Sequence, residues 1–588
     1  MLRWIERYWT VHVAPESTDE VEAERYLVVV PTGVATIAPV KCVEFSRWHL
    51  LVTSCFAMFA AGTLAAYAIL GDALDVHFYA AKTGDSATVL YQTYIWMGLC
   101  AAVAGPFVER RGPRIGMVVA TAMLTVGFTL AQLAVTTKCP ALLFIGYGGF
   151  CGGGFGVEIV STMAASQKWF PDIRGLTAGV CMSAFGMGSF AAACTYNAIL
   201  HRKGSDERAA SARHLPFVFS SAGLVLVLLS IVATLVIRTP PVSFTINGHD
   251  THGVPAGKAP SPSLVQDAYL RNGMTLVNYT AVREAVDGTD MAYFKQVKAL
   301  SLMQCIWSID FFFLYVAFAA SIIPAMVFSS ELVELATVVF HQSVEATNTA
   351  RVQGLSTFVC MASLTAFRVV VIFAGQLVIP VMSDLIIRIF YANPASARKI
   401  MFFAVLSAQL GSMVALSNDH MTFESVKALA FTFVFCSGGS MALIQCFITD
   451  MFGVYHAGTM YGLIVTCWSL RAAIVGYGFA DFHVSRESFL RQMQWMLVVV
   501  AIGWVALLLV RTNSIDRFFD GYKYSICGKV VVQFSFARRT PHGKPHVDSD
   551  SVTVVAPSSG DWNGYTIWDG YDELRTSHAH QHEAQQAL

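Results

Sequence analysis

Charge is what this chain has least of. Only 13% of its 588 residues are Asp, Glu, Lys or Arg, against 55% apolar ones, and the 39 basic and 39 acidic side chains cancel to a formal net charge of +0. An ordinary soluble globular chain carries about 25% charged residues, so that class is excluded. Without a basic excess no nucleic-acid partner is expected. The chain offers no Gly-x-Ser-x-Gly elbow, His-Glu-x-x-His pair or P-loop, so enzymatic activity is not expected. Its 13 cysteines show no Cys-x-x-Cys or Cys/His metal spacing, and most fall in apolar runs, among them Cys55, Cys100, Cys151, Cys181, Cys305, Cys436, Cys446 and Cys467. They read as small core residues, with no metal, no cofactor and no disulfide framework implied. A signal peptide is missing as well: Arg3, Glu6 and Arg7 interrupt the start, and Glu16, Asp19 and Glu20 make it too acidic for a mitochondrial presequence.

What the chain has in abundance is long apolar runs. Backbone amides in hydrocarbon are satisfied only within a helix or a closed barrel, and a spanning helix needs roughly twenty apolar residues. On that rule about twelve spans are expected. The first six run near Trp48 to Leu70, Leu90 to Val108, Ile115 to Val135, Pro140 to Ala164, Gly175 to Leu200 and Leu215 to Ile237. The second six run near Leu300 to Phe328, Phe358 to Met382, Ile400 to Leu416, Val426 to Thr449, Met460 to Ala480 and Leu490 to Val510. The expected organisation is a tail (1–47), a six-helix bundle (48–237), a central loop (238–299), a second six-helix bundle (300–511) and a second, largely disordered tail (512–588). Pro240, Pro241, Pro255, Pro260 and Pro262 give the central loop the composition of a flexible linker.

Basic residues set the orientation. Arg3, Arg7, Lys41 and Arg47 precede the first span, and Arg511, Arg517, Lys523, Lys529, Arg538 and Arg539 follow the last, which puts both tails in the cytoplasm. Arg202, Lys203, Arg208 and Arg213, between spans five and six, run against this pattern, partly offset by Asp206 and Glu207. A cytoplasmic central loop leaves the formal glycosylation acceptor at Asn278 unused. The plasma membrane is the default location.

Gly105, Glu109, Arg110, Arg111, Gly112, Pro113 and Arg114 lie in and beside the short turn between spans two and three. Their spacing resembles the G-x-L-a-D-R-x-G-R-R loop of the major facilitator superfamily, with Glu for Asp. An acid at the end of span two can face a neighbouring helix end while the arginines bind cytoplasmic partners, making a charge latch that breaks when the halves rock. The alternative is a loop made basic by orientation alone. A degraded echo follows in the second half, where Asp384 ends span eight and Arg388, Arg398 and Lys399 come after it. The resemblance implies an all-α membrane protein with twelve transmembrane helices in two pseudo-repeated six-helix bundles.

Between spans four and five, Gln167-Lys168-Trp169-Phe170-Pro171-Asp172-Ile173-Arg174-Gly175 resembles the K-W-F-P-D-K-R-G signature of the oxalate/formate antiporter family, relatives of the monocarboxylate porters. Glycine-rich spans four and five agree with it, and those glycines also serve close helix packing in lipid. Lys168, Asp172 and Arg174 are assigned to the cytoplasmic gate with Gly105, Glu109, Arg110, Gly112, Arg114, Asp384 and Arg388. The family is expected to hold its anion between cations on spans eight and eleven, and this chain departs from that at both places. Gly375-Gln376 stands where the family has Gly-Arg, and Trp468 stands at the lysine position. Arg368 and Arg471 are candidate replacements on approximately the same helix faces.

Charges inside the bilayer are costly unless they face a polar cavity or a partner. Counting along the helices puts Asp310, Arg471 and Glu158 roughly 15 to 20 Å from the cytoplasmic end, near the midplane, and Arg368 roughly 24 Å from Asp384. Arg471 is the leading candidate for a bidentate carboxylate ligand. Arg368, Gln376 and Trp468 complete the substrate-binding set. Asp310 and Glu158 are the proton-coupling candidates, Asp310 first and Glu158 also a candidate structural partner for a neighbouring helix. A competing account pairs Arg471 permanently with one of these acids.

Before span one, Glu24 to Val40 is too short and broken to cross a membrane and is expected on the bundle or membrane surface. Tyr571-Asp572-Glu573-Leu574 is similar to a tyrosine-based sorting signal, a candidate site for a trafficking partner. His578, His580 and His582 imply no ordered metal site. The function expected is secondary active transport of a small organic anion such as pyruvate, lactate or formate by alternating access, by proton symport or exchange, with the lipid bilayer, the anion and protons as partners. The rival expectations are a facilitator of another small solute and a non-transporting sensor on the same fold.

Overall fold

The computed structural model describes residues 8, 25–31, 37–81, 84–200, 207–241, 244–246, 251–252, 290–334, 374–416, 423–478, 486–519, 521–526 and 529–535. Helices dominate. In the first half, span one is Arg47–Ile69, span two Asp85–Arg111, span three Pro113–Thr137, span four Pro140–Trp169, span five Arg174–Leu200 and span six Glu207–Val236. A short helix, Gly71–Tyr79, joins spans one and two. In the second half, span seven is Ile309–Glu334, span nine Pro394–Leu416, span ten Phe423–Phe452, span eleven Ala457–Gly478 and span twelve Arg486–Leu509. Span eight is described from Ala374 to Phe390, beginning with one wide turn at Ala374–Val378. Among the described residues, seven helices are long and apolar enough to cross a membrane by length and composition.

Local chemistry explains the tightest connection. Gly112 sits at φ 86°, where a side chain would be strained, and Pro113 opens span three at the position where its missing N–H costs nothing. Spans two and three are therefore joined by a single residue, and the polar run Glu109–Arg114 is held at one end of the bundle, called here the basic end.

The two halves meet along an antiparallel seam of spans two and eleven. A methyl group added at Gly105 would press on the Thr459 backbone, one at Gly462 on the Ala101 carbonyl, and one at Gly98 on the Ser469 hydroxyl. Ser469 donates to the carbonyls of Tyr94 (3.2 Å) and Ile95 (2.8 Å), so the contact continues past the middle of both helices. Small residues let these backbones approach closely, the packing that lipid favours.

Outside the spans, one sequence expectation needs correction and two segments gain detail. Leu302–Ile306 forms its own short helix, ended at Trp307 and Ser308, so span seven begins at Ile309 rather than Leu300. Tyr26–Pro31 and Ile37–Glu44 pair as an antiparallel hairpin against the first half. Arg238, just past span six, donates to the carbonyls of Tyr26 (2.9 Å) and Leu27 (2.7 Å) and lies 4.1 Å over the Phe45 ring. The chain after span twelve also has local order: Gly521–Ile526 pairs with Lys529–Ser535. In that separate compact unit, formed by Thr245–Lys295 with Ser514–Leu588, Asp516 accepts from the Ser525 amide (2.9 Å) and Arg517 donates to the Tyr293 hydroxyl (2.7 Å). The tail features Tyr571–Leu574, His578, His580 and His582, and Asn278 in the central loop, lie outside the described residues.

Candidate functional site

At the basic end, Glu109 faces the other half of the molecule. Its Oε1 accepts the Gly458 amide at 2.7 Å, in the first turn of span eleven, and its Oε2 pairs with Lys168 at the end of span four. A carboxylate at a helix N-terminus meets unpaired N–H groups and the positive end of the helix dipole. The second half returns the arrangement. Asp384, in the closing turns of span eight, accepts the amides of Gly175 (3.2 Å) and Leu176 (2.8 Å) in the first turn of span five. Each half thus uses an acid at the end of its second helix to cap the fifth helix of the other half.

Between these caps lies a buried charge chain. Arg174 of span five pairs with Asp450 at the end of span ten (2.6 Å), and Arg398 of span nine pairs with Asp450 (3.1 Å) and Asp384 (2.6 Å). Arg398 also donates to the Ser383 hydroxyl. Arg388 reaches the Asp172 carbonyl across the halves (3.1 Å), while the Asp172 carboxylate is held by Arg47 (2.8 Å). Arg110 turns back to the Pro106 carbonyl (3.1 Å) and stacks 4.6 Å from the Tyr8 ring, and Arg114 is buried at the start of span three. The gate candidates therefore gather at one end, where Glu109, Arg174, Asp384 and Arg388 bridge the halves by their own side chains and Lys168 holds Glu109. Sequence reading left out Asp450. Its signal was the internal repeat: Thr449-Asp450-Met451-Phe452 ends span ten as Gln167-Lys168-Trp169-Phe170 ends span four, with an acid replacing the lysine.

Deeper in, Arg471 is 3% exposed and stands fourteen residues beyond Ala457, about 21 Å along span eleven. Its guanidinium lies 5.3 Å from the Tyr94 ring of span two and 5.4 Å from the Trp468 ring. Trp468 is enclosed in turn by Tyr94 (centroids 6.0 Å) and by Phe185 of span five (5.7 Å, edge-on). Arg471 Nε and Nη1 are buried without a hydrogen-bond partner among the described residues. The cage is built by both halves: Tyr94 and Phe185 come from the first, Trp468 and Arg471 from the second. Tyr94 and Phe185 were not singled out in the sequence, because an aromatic residue in a span resembles any other until its neighbour across the seam is known. Gln376, in the wide turn of span eight, is 3% exposed with its Nε2 unpartnered. Arg368 lies outside the described residues.

Neither acid pairs with Arg471. Asp310 is in the first turn of span seven, not near the midplane, because the Trp307–Ser308 break moves the helix start nine residues later than Leu300. There it accepts the Arg511 amide (2.8 Å) and pairs with the Arg511 guanidinium (2.9 Å), tying span seven to the end of span twelve. Glu158 is fully buried in span four, where Ser230 of span six donates to its Oε1 at 2.7 Å. Among the described residues, no group of three or more potential metal ligands is assembled.

A family model described as Major Facilitator Superfamily matches residues 50–476. The oxalate:formate antiporter of Oxalobacter formigenes is 26% identical over 200 residues, which cover 33% of this chain and 43% of the antiporter, less than half of that relative's length. Among solved structures, the proton:xylose symporter XylE bound to 6-bromo-6-deoxy-D-glucose is similar with a TM-score of 0.54 at 12% identity, over 80% of this chain and 97% of that one. The human organic anion transporter MFSD10 (TETRAN) gives 0.50 at 13% identity, over 80% and 100%. These structures share a fold of twelve transmembrane helices in two six-helix halves, and this multi-pass membrane protein has that fold over about 80% of its length. With the capped helix ends and the family match pointing the same way, the chain belongs to the major facilitator superfamily of membrane transporters.

Proposed function

We propose that this transporter moves a small organic anion, a monocarboxylate such as pyruvate, lactate or formate, by alternating access. The observation that carries the reading is Arg471, a buried guanidinium in a cage made by both halves with two nitrogens unpartnered. A buried cation with unmade hydrogen bonds is costly, and a carboxylate supplies both the charge and the paired acceptors that a guanidinium fits. Trp468 would close the apolar side of the site, with Gln376 and Arg368 as further ligands from span eight. The similarity to an oxalate:formate antiporter supports an anionic substrate.

In this reading the basic end is cytoplasmic, both termini lie on that side, and the plasma membrane is the default location. The caps at Gly458 and Gly175 and the Arg174–Asp450 pair form the cytoplasmic gate, which opens when the halves rock apart. Gly105 and Gly112 shape it, Arg110, Arg114 and Asp172 brace it from the first half, and proton symport or anion exchange supplies the coupling. Tyr571–Leu574 is proposed as a trafficking contact.

The test is uptake of radiolabelled pyruvate, formate and oxalate into proteoliposomes, with and without an inward proton gradient, for the parent and Arg471→Ala. The reading expects acid uptake that falls at least about tenfold in the variant, the equivalent of about 1.4 kcal/mol of lost binding. No uptake of any acid by folded protein overturns the substrate class and favours another small solute.

A further inference from the structure

We propose that Glu158 is a proton-binding site, held as the neutral acid inside the first six-helix half and separate from the Arg471 cage between the halves. Between their end turns, the membrane-embedded stretches 50–69, 88–108, 115–137, 140–167, 175–200 and 215–236 contain one Asp, Glu, Lys, Arg or His in all, and it is Glu158. The half that surrounds this carboxyl therefore has no cation at its depth to pair with it.

The surroundings leave it little else. Ser230 gives Oε1 its one hydrogen bond (2.7 Å), and Oε2 is buried without a partner among the described residues. The neighbouring hydroxyls are committed elsewhere. Thr162, one turn further along span four, donates to Met117 Sδ (3.7 Å), and Thr234, one turn beyond Ser230, donates to the Ser230 carbonyl (2.7 Å). An ionised carboxylate in such a place would cost tens of kcal/mol by Born solvation in a medium of low dielectric, so the group neutralises instead. A carboxylic acid carries no charge to desolvate: Ser230 donates to its carbonyl oxygen Oε1, and the proton sits on Oε2, the oxygen that no described donor reaches.

No packed element contributes a counter-charge. Spans three and six carry no titratable side chain at this depth. Span two presents Tyr94 and Cys100, span one Cys55, and span five Cys181, all neutral as phenol or thiol. In the other half, Arg471 lies on the Tyr94 and Trp468 rings, and among the described residues Glu158 has no ion pair. Glu109, Lys168, Asp450 and His456 belong to the basic end, which Lys168 marks about 15 Å away along span four. A proton at Glu158 is thus sealed between spans four and six, and exchanges with water only when that packing opens. Where the proposed transport is proton-driven, this places the coupling proton away from the substrate, so coupling acts through helix packing rather than through a shared site. That last step rests on the proposed function; the protonation itself does not.

The experiment is infrared spectroscopy of the full-length protein in lipid at neutral pH without any substrate, comparing the parent with Glu158→Gln and Ser230→Ala. The proposal expects a protonated-carboxyl carbonyl band in the parent that Glu158→Gln lacks and that Ser230→Ala shifts. Absence of the band, or a carboxylate band lost in Glu158→Gln in its place, overturns it. If Glu158→Gln fails to fold, the Ser230→Ala shift and a displaced band in Glu158→Asp decide the question. For the coupling step, Glu158→Gln is expected to keep substrate exchange without a gradient and to lose acceleration by a proton gradient. Unchanged acceleration overturns that step. A positive band with no acid uptake by the parent leaves the proton site standing and removes the monocarboxylate reading.

Discussion

Glu109 and Gly458 are 349 residues apart and meet at 2.7 Å, the carboxylate of one half capping the first turn of a helix in the other. An acid at a helix N-terminus contributes about 0.3–1 kcal/mol when exposed and up to about 2 when partly buried. Glu109→Gln removes the charge and keeps the shape. Hydrogen exchange at the start of span eleven is expected to quicken by about 1.7-fold to thirtyfold, the range those energies give. Unchanged exchange there would mean that the cap does not hold the halves together.

The Arg174–Asp450–Arg398 chain makes an asymmetric prediction. Removing one partner of a buried pair leaves an uncompensated charge and typically costs about 3–5 kcal/mol. Asp450→Ala removes the carboxylate that holds Arg174 and one of the two that hold Arg398, which keeps Asp384, whereas Arg174→Ala leaves Asp450 still held by Arg398. Thermal unfolding in detergent should therefore fall further for Asp450→Ala than for Arg174→Ala. The reverse order would contradict the geometry.

Asp310 is expected to be structural. Asp310→Asn breaks a bidentate contact with Arg511 and should cost about 3–5 kcal/mol of stability. Any proton-gradient dependence of transport should survive in the folded fraction. Loss of that dependence at full stability would return Asp310 to the proton pathway.

His456 supplies a pH dependence outside the spans. It sits in the turn before span eleven, its Nε2 bonded to the Leu300 carbonyl at 3.0 Å, and burial lowers its pKa from the usual value near 6.5, with that backbone bond opposing the shift. Because the folded pKa lies below the unfolded one, the unfolded state takes up its proton first as pH falls. The neutral ring's contribution is complete above about pH 6.5 and is lost as pH drops through the folded pKa. His456→Gln, which can still donate to the carbonyl, should show a smaller drop in melting temperature between pH 7 and pH 5 than the parent. An equal drop would assign the acid sensitivity to other groups.

Much of the fold was legible in the sequence because spanning helices announce themselves by length and apolarity, and because Glu109–Arg114 and Lys168–Gly175 interrupt them with motifs tied to place. The capping role of Glu109 could be reasoned from its position at a helix end; which amide it caps could not. Asp310 was misjudged in depth because Leu302 to Phe313 reads as one mostly apolar run, and no proline or glycine marks the break at Trp307 and Ser308. The hairpin Tyr26–Glu44 escaped notice because its anchor, Arg238, lies two hundred residues away. Arg471 could be found as a charge in a span, while its cage needed the seam between spans two and eleven.

Binding of radiolabelled pyruvate, formate and oxalate by the purified protein, compared among the parent, Arg471→Lys and Arg471→Gln, tests the central claim most directly. Lysine keeps the charge but not the planar fork, and glutamine keeps neither. Affinity for a carboxylate is predicted to fall in that order, with Arg471→Gln at least about tenfold weaker than the parent, a loss of about 1.4 kcal/mol or more. Equal affinity in the parent and Arg471→Gln would contradict the assignment of Arg471 as the carboxylate ligand.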